Sequence, residues 1–376
     1  MAEALGWALL GLYLGLTALR TVLAVRAWRP PQGGPEPAVV VLQPILSGDP
    51  QLGTQLAANL AGHPLARFRW LVDQNDAEGI RVAEALAGAA GAGRVEVLRF
   101  DPAPPEVNPK VFKLARALRP GEGLVAVLDD DTVLPPGSLA RAAAALEDGD
   151  LVTGVPYYVA EGNLWTRLVA AFVNGNSLLT YLPLARLAPP VTINGMFYLT
   201  TAAALERAGG FAAIEHLVCD DYELALRYRE SGQRLVQAAI PHPLRTTVPD
   251  ARGYLRILRR WLVFTGRLLR TELNLPILVL VLLPGLLPLL ALTLAAFAGS
   301  GRLAAAVVAG LLAKALGAAV LRRRLLGTAE TAAGTALEVV SDLAVPLHAL
   351  ATVVRPGRIV WRGRPMVLDR SGRVRP

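Results

Sequence analysis

Two hydrophobic patterns alternate along this chain. In the first, apolar runs of about five residues alternate with stretches of helical period. Residues 38–42 (AVVVL), 68–72, 95–100 and 124–128 predict strands, while 52–61, 80–90 and a segment opened by Asn108, Pro109 and Lys110 and running to 118 predict helices. Strands alternating with helices of this length predict an α/β fold on a doubly wound, mainly parallel sheet. Residues 151–155 continue the strand series. Residues 192–199 predict a strand or turn carrying Gly195 and Met196, and 201–208 a short helix closed by Gly209 and Gly210. Residues 219–231 (CDDYELALRYRES) predict a helix in which Asp220 and Glu223 have capping-box spacing, Asp220 at the N-cap and Glu223 at N3.

The second pattern is long, unbroken and apolar. Residues 4–27 are apolar and end in Arg20, Arg26 and, just beyond, Arg29. A secretory signal carries its charge in front, so an uncleaved membrane anchor is expected, with Arg26 and Arg29 on the cytosolic side. Residues 275–298, about 24 residues and roughly 36 Å of helix, and 303–320 predict a spanning hairpin ended by Arg322, Arg323 and Arg324. Pro276, Pro284 and Pro288 are expected to kink its first arm. Residues 163–187 suggest an apolar helix interrupted at Asn174, Gly175 and Asn176, suited to the membrane interface. Residues 253–270 mix five arginines with Trp261 and Phe264, as an interfacial helix does. Residues 332–354 hold Glu338, Asp342 and His348, costly against lipid, so an interfacial or re-entrant segment with a cytosolic basic tail is expected. The resulting partition is an anchor (1–29), a linker (30–37), a catalytic domain (38–250), an amphipathic helix (251–272), membrane or interfacial helices (273–354) and a tail (355–376).

Composition narrows the function. Mean hydropathy of +0.42 is high for a soluble protein. The single cysteine, Cys219, excludes an internal disulfide and suits a reducing compartment. Net charge of +8 is concentrated after Arg252 beside apolar runs, which fits an anionic membrane surface better than nucleic acid. Four histidines and one cysteine argue against zinc. Neither GxGxxG nor a P-loop is present, which disfavours NAD and ATP.

The candidate chemistry lies in residues 124–134, LVAVLDDDTVL, where a buried strand runs into Asp129, Asp130 and Asp131. In open α/β sheets ligands bind beyond the carboxyl ends of the strands. Three adjacent acids repel one another there, and a divalent cation removes that penalty. Asp129 and Asp131 can share one hard cation while a diphosphate fills its remaining positions; a plain strand-ending turn is the alternative. Asp73 and Asp76 end another strand and suit either hydrogen bonds to a nucleoside or turn capping. If the two strands are neighbours, their acids line one crevice. Asp221 follows the capping residue in the first helical turn. The helix dipole favours its ionised form, which can take a proton from an attacking hydroxyl; surface helix charge is the alternative.

Together these residues resemble the family-two glycosyltransferases, and within them the ceramide glucosyltransferase-like group, including bacterial hopanoid-pathway enzymes. The likeness covers about 43–270, with a weaker match at 360–364 (VWRGR). It implies a GT-A fold, a UDP-sugar donor, Mg²⁺ or Mn²⁺ and an inverting displacement, while the arginines flanking the expected spans put the catalytic domain on the cytoplasmic side of the cell membrane. On this resemblance the first acidic motif falls on Asp73 and Asp76. The Asn-Pro-Lys turn puts Lys110 by the donor phosphate, and the DxD falls on Asp129 and Asp131, with Asp130 between them on the donor side. The catalytic base falls on Asp221, with Gly195, Met196 and Asp220 on the acceptor side. The Arg-Trp pair falls on Arg260 and Trp261, but Ile257 stands where the family has Gln or Arg, and Arg256 or Arg259 substitutes. The expected acceptor is a lipid hydroxyl such as ceramide, diacylglycerol or a hopanoid, and the expected sugar is glucose or N-acetylglucosamine-like. A polyprenyl phosphate or polysaccharide acceptor is the alternative within the enzyme class, and a non-catalytic membrane scaffold the alternative outside it.

Overall fold

The computed structural model describes residues 1–354, 358–361, 364–369 and 372–375. The basic-tail residues Arg355, Arg362 and Arg370 lie outside them. The chain begins with helix α1 (Ala2–Ala27). There follow β1 (Val39–Pro44), α2 (Leu52–Gly62), β2 (Arg67–Asp73), α3 (Ala77–Ala89), β3 (Val95–Phe100), α4 (Pro109–Ala117), β4 (Leu124–Leu128), α5 (Ser138–Ala145) and β5 (Leu151–Tyr158). Next come α6 (Leu164–Asn174), α7 (Ser177–Leu187), β6 (Phe197–Thr201), α8 (Ala202–Arg207), α9 (Asp220–Glu230), β7 (Leu235–Leu244) and α10 (Ala251–Glu272). The long helices α11 (Leu275–Phe297), α12 (Gly301–Leu326) and α13 (Ala332–Val354) precede β8 (Arg358–Trp361), β9 (Arg364–Leu368) and β10 (Val374–Arg375). Two compact units form. A helical unit holds 1–28, 160–188 and 248–356; an α/β unit holds 29–159, 189–247 and 357–376. Residues 160–188, inside the span expected for the catalytic domain, thus cluster with the helical unit, and the C-terminal strands with the α/β unit.

The α/β unit is built on a seven-stranded sheet of order β3-β2-β1-β4-β6-β5-β7, in which only β6 runs antiparallel to its neighbours. The expected mainly parallel, doubly wound sheet is therefore present. β1 is buried along its whole length, as a central strand covered on both faces must be. One face packs Val41, Phe68, Trp70, Ala126 and Ile240 under α2, α3 and α5; the other packs Leu42, Leu71, Val127 and Tyr198 under α4, α8 and α9. β2 and β4 are not neighbours, because β1 lies between them. The acids at their ends therefore meet across the loop that leaves β1. β7, which carries Pro241 and Pro243, was not predicted from the sequence. It sits at the sheet edge, where prolines leave no ladder bond unmade.

A polar stripe on α2 fixes the loop after the acids. Gln55, Asn59 and His63, four residues apart, lie on one helix face and are all buried. Gln55 donates to the Arg245 carbonyl at 2.6 Å. Asn59 donates to the Thr132 carbonyl at 2.8 Å and accepts from the Leu134 N–H at 2.9 Å. His63 Nε2 lies 3.2 Å from the Leu134 carbonyl and Nδ1 2.9 Å from Glu36.

The helical unit has an apolar core of Leu10, Tyr13, Leu16, Leu287, Ala291, Leu303, Val307 and Leu311. α11 continues through its prolines by widening into a π turn at Leu278–Leu282, just before Pro284. The charges on α13 are compensated. Asp342 meets Lys314 of α12 at 2.9 Å, and Glu338 pairs with Arg322, which also meets Glu330 at 2.6 Å and the Asn174 carbonyl at 2.6 Å. Arg20 of α1 donates to the Leu179 carbonyl at 2.8 Å and to Asn176 and Thr180 at 3.2 Å each. α6 and α7 are separate helices, parted where Gly175 and Asn176 interrupt the apolar run.

Removing the central member of the α2 stripe tests its role. Asn59→Ala orphans one buried N–H and one buried carbonyl, at about 1–3 kcal/mol each. Thermal denaturation should show a loss of about 2–5 kcal/mol; a variant as stable as the parent would assign the loop's rigidity elsewhere.

Candidate active site

The end of β4 delivers three adjacent carboxylates into three different settings. The ladder with β6 runs from Leu124↔Thr201 to Leu128↔Phe197, and the Asp129 N–H extends it to the Met196 carbonyl at 2.9 Å. Because β6 is antiparallel, Gly195 and Met196 lie at the same sheet end as the acids. Asp129 Oδ1 forms an ion pair with Lys110 at 2.8 Å. Asp130 Oδ2 accepts the Leu46 N–H at 2.6 Å, from the loop after β1. Asp131 accepts the Thr246 hydroxyl through Oδ2, and its carbonyl accepts the Arg245 N–H at 2.8 Å. Burial, then the charges of Asp129 and Asp130, push the Asp131 carboxyl up to about 7.

Lys110 is placed by the Asn-Pro-Lys turn. Asn108 caps α4 by accepting the N–H groups of Lys110 at 3.0 Å and Val111 at 3.2 Å, and Pro109 occupies the first turn, where its missing N–H costs nothing. The same Asn108 donates through Nδ2 to the Leu217 carbonyl at 3.0 Å, and its backbone N–H donates to Glu215 at 2.8 Å. It therefore holds both α4 and the loop that leads to α9. The Lys110 ammonium, buried at 5% exposure, meets Asp129 Oδ1 at 2.8 Å, Asp220 Oδ2 at 3.3 Å and the Gly195 carbonyl at 2.8 Å. One cation thus gathers the β4 end, the turn before β6 and the start of α9.

Asp220 is the first residue of α9 and not its cap; Cys219 takes the N-cap position and makes no side-chain cap bond. The capping-box expectation gives way to the stronger partner, because a carboxylate beside a buried ammonium gains more than one capping a helix. Asp221 stands in the first turn, as expected. Its Oδ1 accepts the Tyr222 N–H at 2.7 Å and the Cys219 thiol at 3.1 Å. Burial and then the charge of Asp220 raise its carboxyl to about 6, against the lowering effects of Cys219, Tyr222 and Lys110. A Cβ on Gly195 would lie 3.2 Å from the Asp221 Cβ, so only glycine permits this approach without a shift.

Asp73 and Asp76 approach the acids through the β1 loop. Asp76 caps α3 by accepting the Gly79 N–H at 2.9 Å, and also accepts the Ser47 N–H at 2.8 Å. Burial raises its pKa, but the hydrogen bonds from Ser47 and Gly79 outweigh it and hold the carboxyl below the usual range. Asp73 Oδ2 pairs with the fully buried Lys113 at 3.1 Å. Sequence reasoning missed Lys113, although it stands one turn beyond Lys110 on the same helix. It also missed Thr246, which carried no local signal, and Gln43, whose buried amide donates to the Asp129 carbonyl at 3.3 Å and accepts from Trp70. Arg260 and Trp261 belong to the helical unit, on α10, where Trp261 stacks on Phe172 at 5.7 Å.

Among the described residues no group of three or more His, Cys, Asp or Glu side chains forms a ready metal site. Asp129 and Asp131, two apart in sequence, are both oxygen donors of the kind a hard cation takes, and burial together with the neighbouring acids raises the Asp131 carboxyl. The sign of the pH effect follows. Asp131 and Asp221 bind protons more tightly folded, near 7 and 6, than unfolded, near about 4. Their ionisation therefore costs stability, nothing below about pH 4 and the full amount above about pH 7. In EDTA the melting temperature should fall between these limits, and Asp131→Asn should flatten the upper part of the fall. A flat profile in the parent protein would refute the raised values.

The family model described as glycosyl transferase family 21 matches residues 5–374. A mannosyltransferase from Pyrobaculum calidifontis, in complex with GDP-mannose and Mn²⁺, aligns over 94% of this chain and 98% of its own, with TM-score 0.53 and 18% identity. TarS 1–349 from S. aureus, in complex with UDP-GlcNAc, aligns over 90% and 98% with TM-score 0.37 and 11% identity. No curated protein matches the chain. The first of these likenesses shows the GT-A-type fold, and with the family model spanning nearly its whole length this chain belongs to glycosyl transferase family 21, a ceramide glucosyltransferase-like family.

Proposed function

We propose that this protein is an integral-membrane, inverting glycosyltransferase that moves a sugar from a UDP-sugar to a lipid hydroxyl. The observation that carries the reading is the Lys110 cluster, in which a carboxylate with a pKa near 6 stands beside the acids of a DxD. Asp129 and Asp131 would hold Mg²⁺ or Mn²⁺, which neutralises the leaving diphosphate. Asp73, Asp76 and Asp130 border the donor side, with Lys110 as the cation nearest the phosphates. Asp221, ionised at neutral pH, takes the proton of the acceptor hydroxyl as that oxygen attacks the anomeric carbon. Gly195, Met196 and Asp220 shape the acceptor side, and the family resemblance gives Arg260 and Trp261 a donor-side role. The mannosyltransferase bound to GDP-mannose and Mn²⁺ supports donor and metal class by analogy alone.

The membrane reading rests on four helical stretches long and apolar enough to cross a bilayer: Ala2–Ala27, Leu164–Leu187, Leu275–Phe297 and Gly301–Leu326. The second need not cross. β4 and β6, before and after it, are paired strands, so both its ends lie on one side. Its two 11-residue helices, each roughly 16 Å, suit a re-entrant hairpin. The segment 248–356 likewise leaves and re-enters the α/β unit, so it crosses an even number of times. α11 and α12 supply two crossings. α10, with six arginines, supplies none, and α13 therefore stays on the catalytic side. The catalytic unit is assigned to the cytoplasmic face of the cell membrane, where arginines flank the spans.

Two measurements test this. Asp221→Asn should still bind the donor but lose transfer by about 10²–10⁴-fold, measured as nucleotide release with a UDP-sugar panel and lipid acceptors. A mild loss points to a phosphate acceptor, which needs no strong base, and an absence of transfer from the parent protein with every donor points to a scaffold. For topology, Ala298→Cys in the α11–α12 turn should react with an impermeant maleimide on intact cells, and Arg373→Cys only after permeabilisation. Labelling of Arg373→Cys from outside would make α13 a span.

A further inference from the structure

We infer that Cys219 is a positioning residue for Asp221, clamping Oδ1 so that Oδ2 is the oxygen that receives the proton. The inference rests on the proposed role of Asp221 and deepens it. Two donors converge on Oδ1, the Tyr222 N–H at 2.7 Å and the Cys219 thiol at 3.1 Å. A backbone N–H alone leaves the carboxylate free to rotate about its last torsion; a second donor from the preceding turn fixes its plane. Oδ2 is left facing Gly195, where a Cβ would lie 3.7 Å from it. The lack of a side chain at Gly195 is what leaves room for a hydroxyl there.

The Cys219 thiol suits this task. It is buried at 6% exposure, and burial followed by the charge of Asp221 holds it protonated, so it acts as a donor and not as a thiolate. Its loop is braced on two sides. Asn108 donates to the Leu217 and Val218 carbonyls, and the Val218 N–H donates to the Gly372 carbonyl at 3.3 Å. The charged and titratable groups facing Asp221 are Asp220 on its own helix, Lys110 from α4 and Tyr198 from β6. In the reaction, the acceptor O–H bond breaks with its proton passing to Oδ2. The acceptor oxygen bonds to the anomeric carbon, and the bond to the diphosphate breaks with its electron pair leaving on the phosphate.

The test is a double-mutant cycle on the full-length protein in nanodiscs, using Cys219→Ala and Asp221→Asn at pH 5 and pH 8. A thiol that donates to an ionised Asp221 stabilises only where Asp221 is charged. Cys219→Ala should therefore lower the melting temperature more at pH 8 than at pH 5, and Asp221→Asn should abolish that difference. A loss equal at both pH values, or unchanged by Asp221→Asn, would reduce Cys219 to packing and overturn the inference. With UDP-glucose and UDP-N-acetylglucosamine as probes, Cys219→Ala should lower kcat about three- to tenfold with donor KM unchanged within about twofold. The acidic limb of the rate profile should move upward, and Cys219→Ser should restore both. Full turnover in Asp221→Asn would instead remove the base while leaving the cycle intact, so the two failures are distinguishable.

Discussion

A buried ammonium that must be neutralised governs this structure. Removing the Lys110 charge from water costs several kcal/mol unless oxygens replace the lost hydration. The fold supplies three, from Asp129, Asp220 and the Gly195 carbonyl, each on a different stretch of chain. Satisfying that one cation fixes how β4, the turn before β6 and α9 meet. Among the described residues, five carboxylates, Asp129, Asp130, Asp131, Asp220 and Asp221, stand close together in this region. Burial first, and then the charge of neighbouring carboxylates, makes Asp131 and Asp221 hold protons more tightly than free aspartates. On the proposed reading this gathering of acids also explains why an anionic diphosphate would enter accompanied by a divalent cation: alone it would be repelled.

Much of this was legible in the sequence, for identifiable reasons. Buried parallel strands write themselves as short apolar runs, and the acids that end them stand out against that background. The Asn-Pro-Lys turn announced a helix start, and Asp221 was placed correctly in a first turn. What escaped was set by partners distant in sequence. Asp220 looked like a cap because capping is local, whereas Lys110 is more than a hundred residues away. The roles of Gln55, Asn59 and His63 were not predicted, because the carbonyls and N–H they serve belong to a loop distant in sequence. β7 was not predicted either; its prolines are tolerated only at a sheet edge, and edge position is a property of the whole sheet.

The helical unit follows the same logic. The charges of residues 332–354 seemed to bar the segment from an apolar setting, and would do so if each faced lipid alone. Asp342 and Glu338 instead face Lys314 and Arg322 of α12. A basic residue within an apolar helix is legible; the acid that answers it on another helix is not, because pairing leaves no periodic signature. The break at Gly175 and Asn176 has a similar explanation. The carbonyl of Asn174, before it, accepts from Arg322, and the side chain of Asn176, within it, meets Arg20 and Asp342. The interruption is therefore a docking point for charge, not merely a flaw in a spanning helix.

A carboxylate that titrates near neutrality requires opposing influences of similar size, and Asp221 has them. Burial and Asp220 push its proton on; Lys110, the Tyr222 N–H and the Cys219 thiol pull it off. Because Lys110 also pairs with Asp129, a change of charge beside Asp129 is felt at Asp221 through a shared cation, with no movement of the backbone required. The link is electrostatic and short. It needs only that α4 keep Lys110 between the two sides, which the Asn108 cap secures by holding α4 and the loop before α9 at once. An exposed lysine at the same place would be screened by water and would couple nothing. Burial of that one ammonium, costly in isolation, is thus what allows acids from separate parts of the chain to act as a single site.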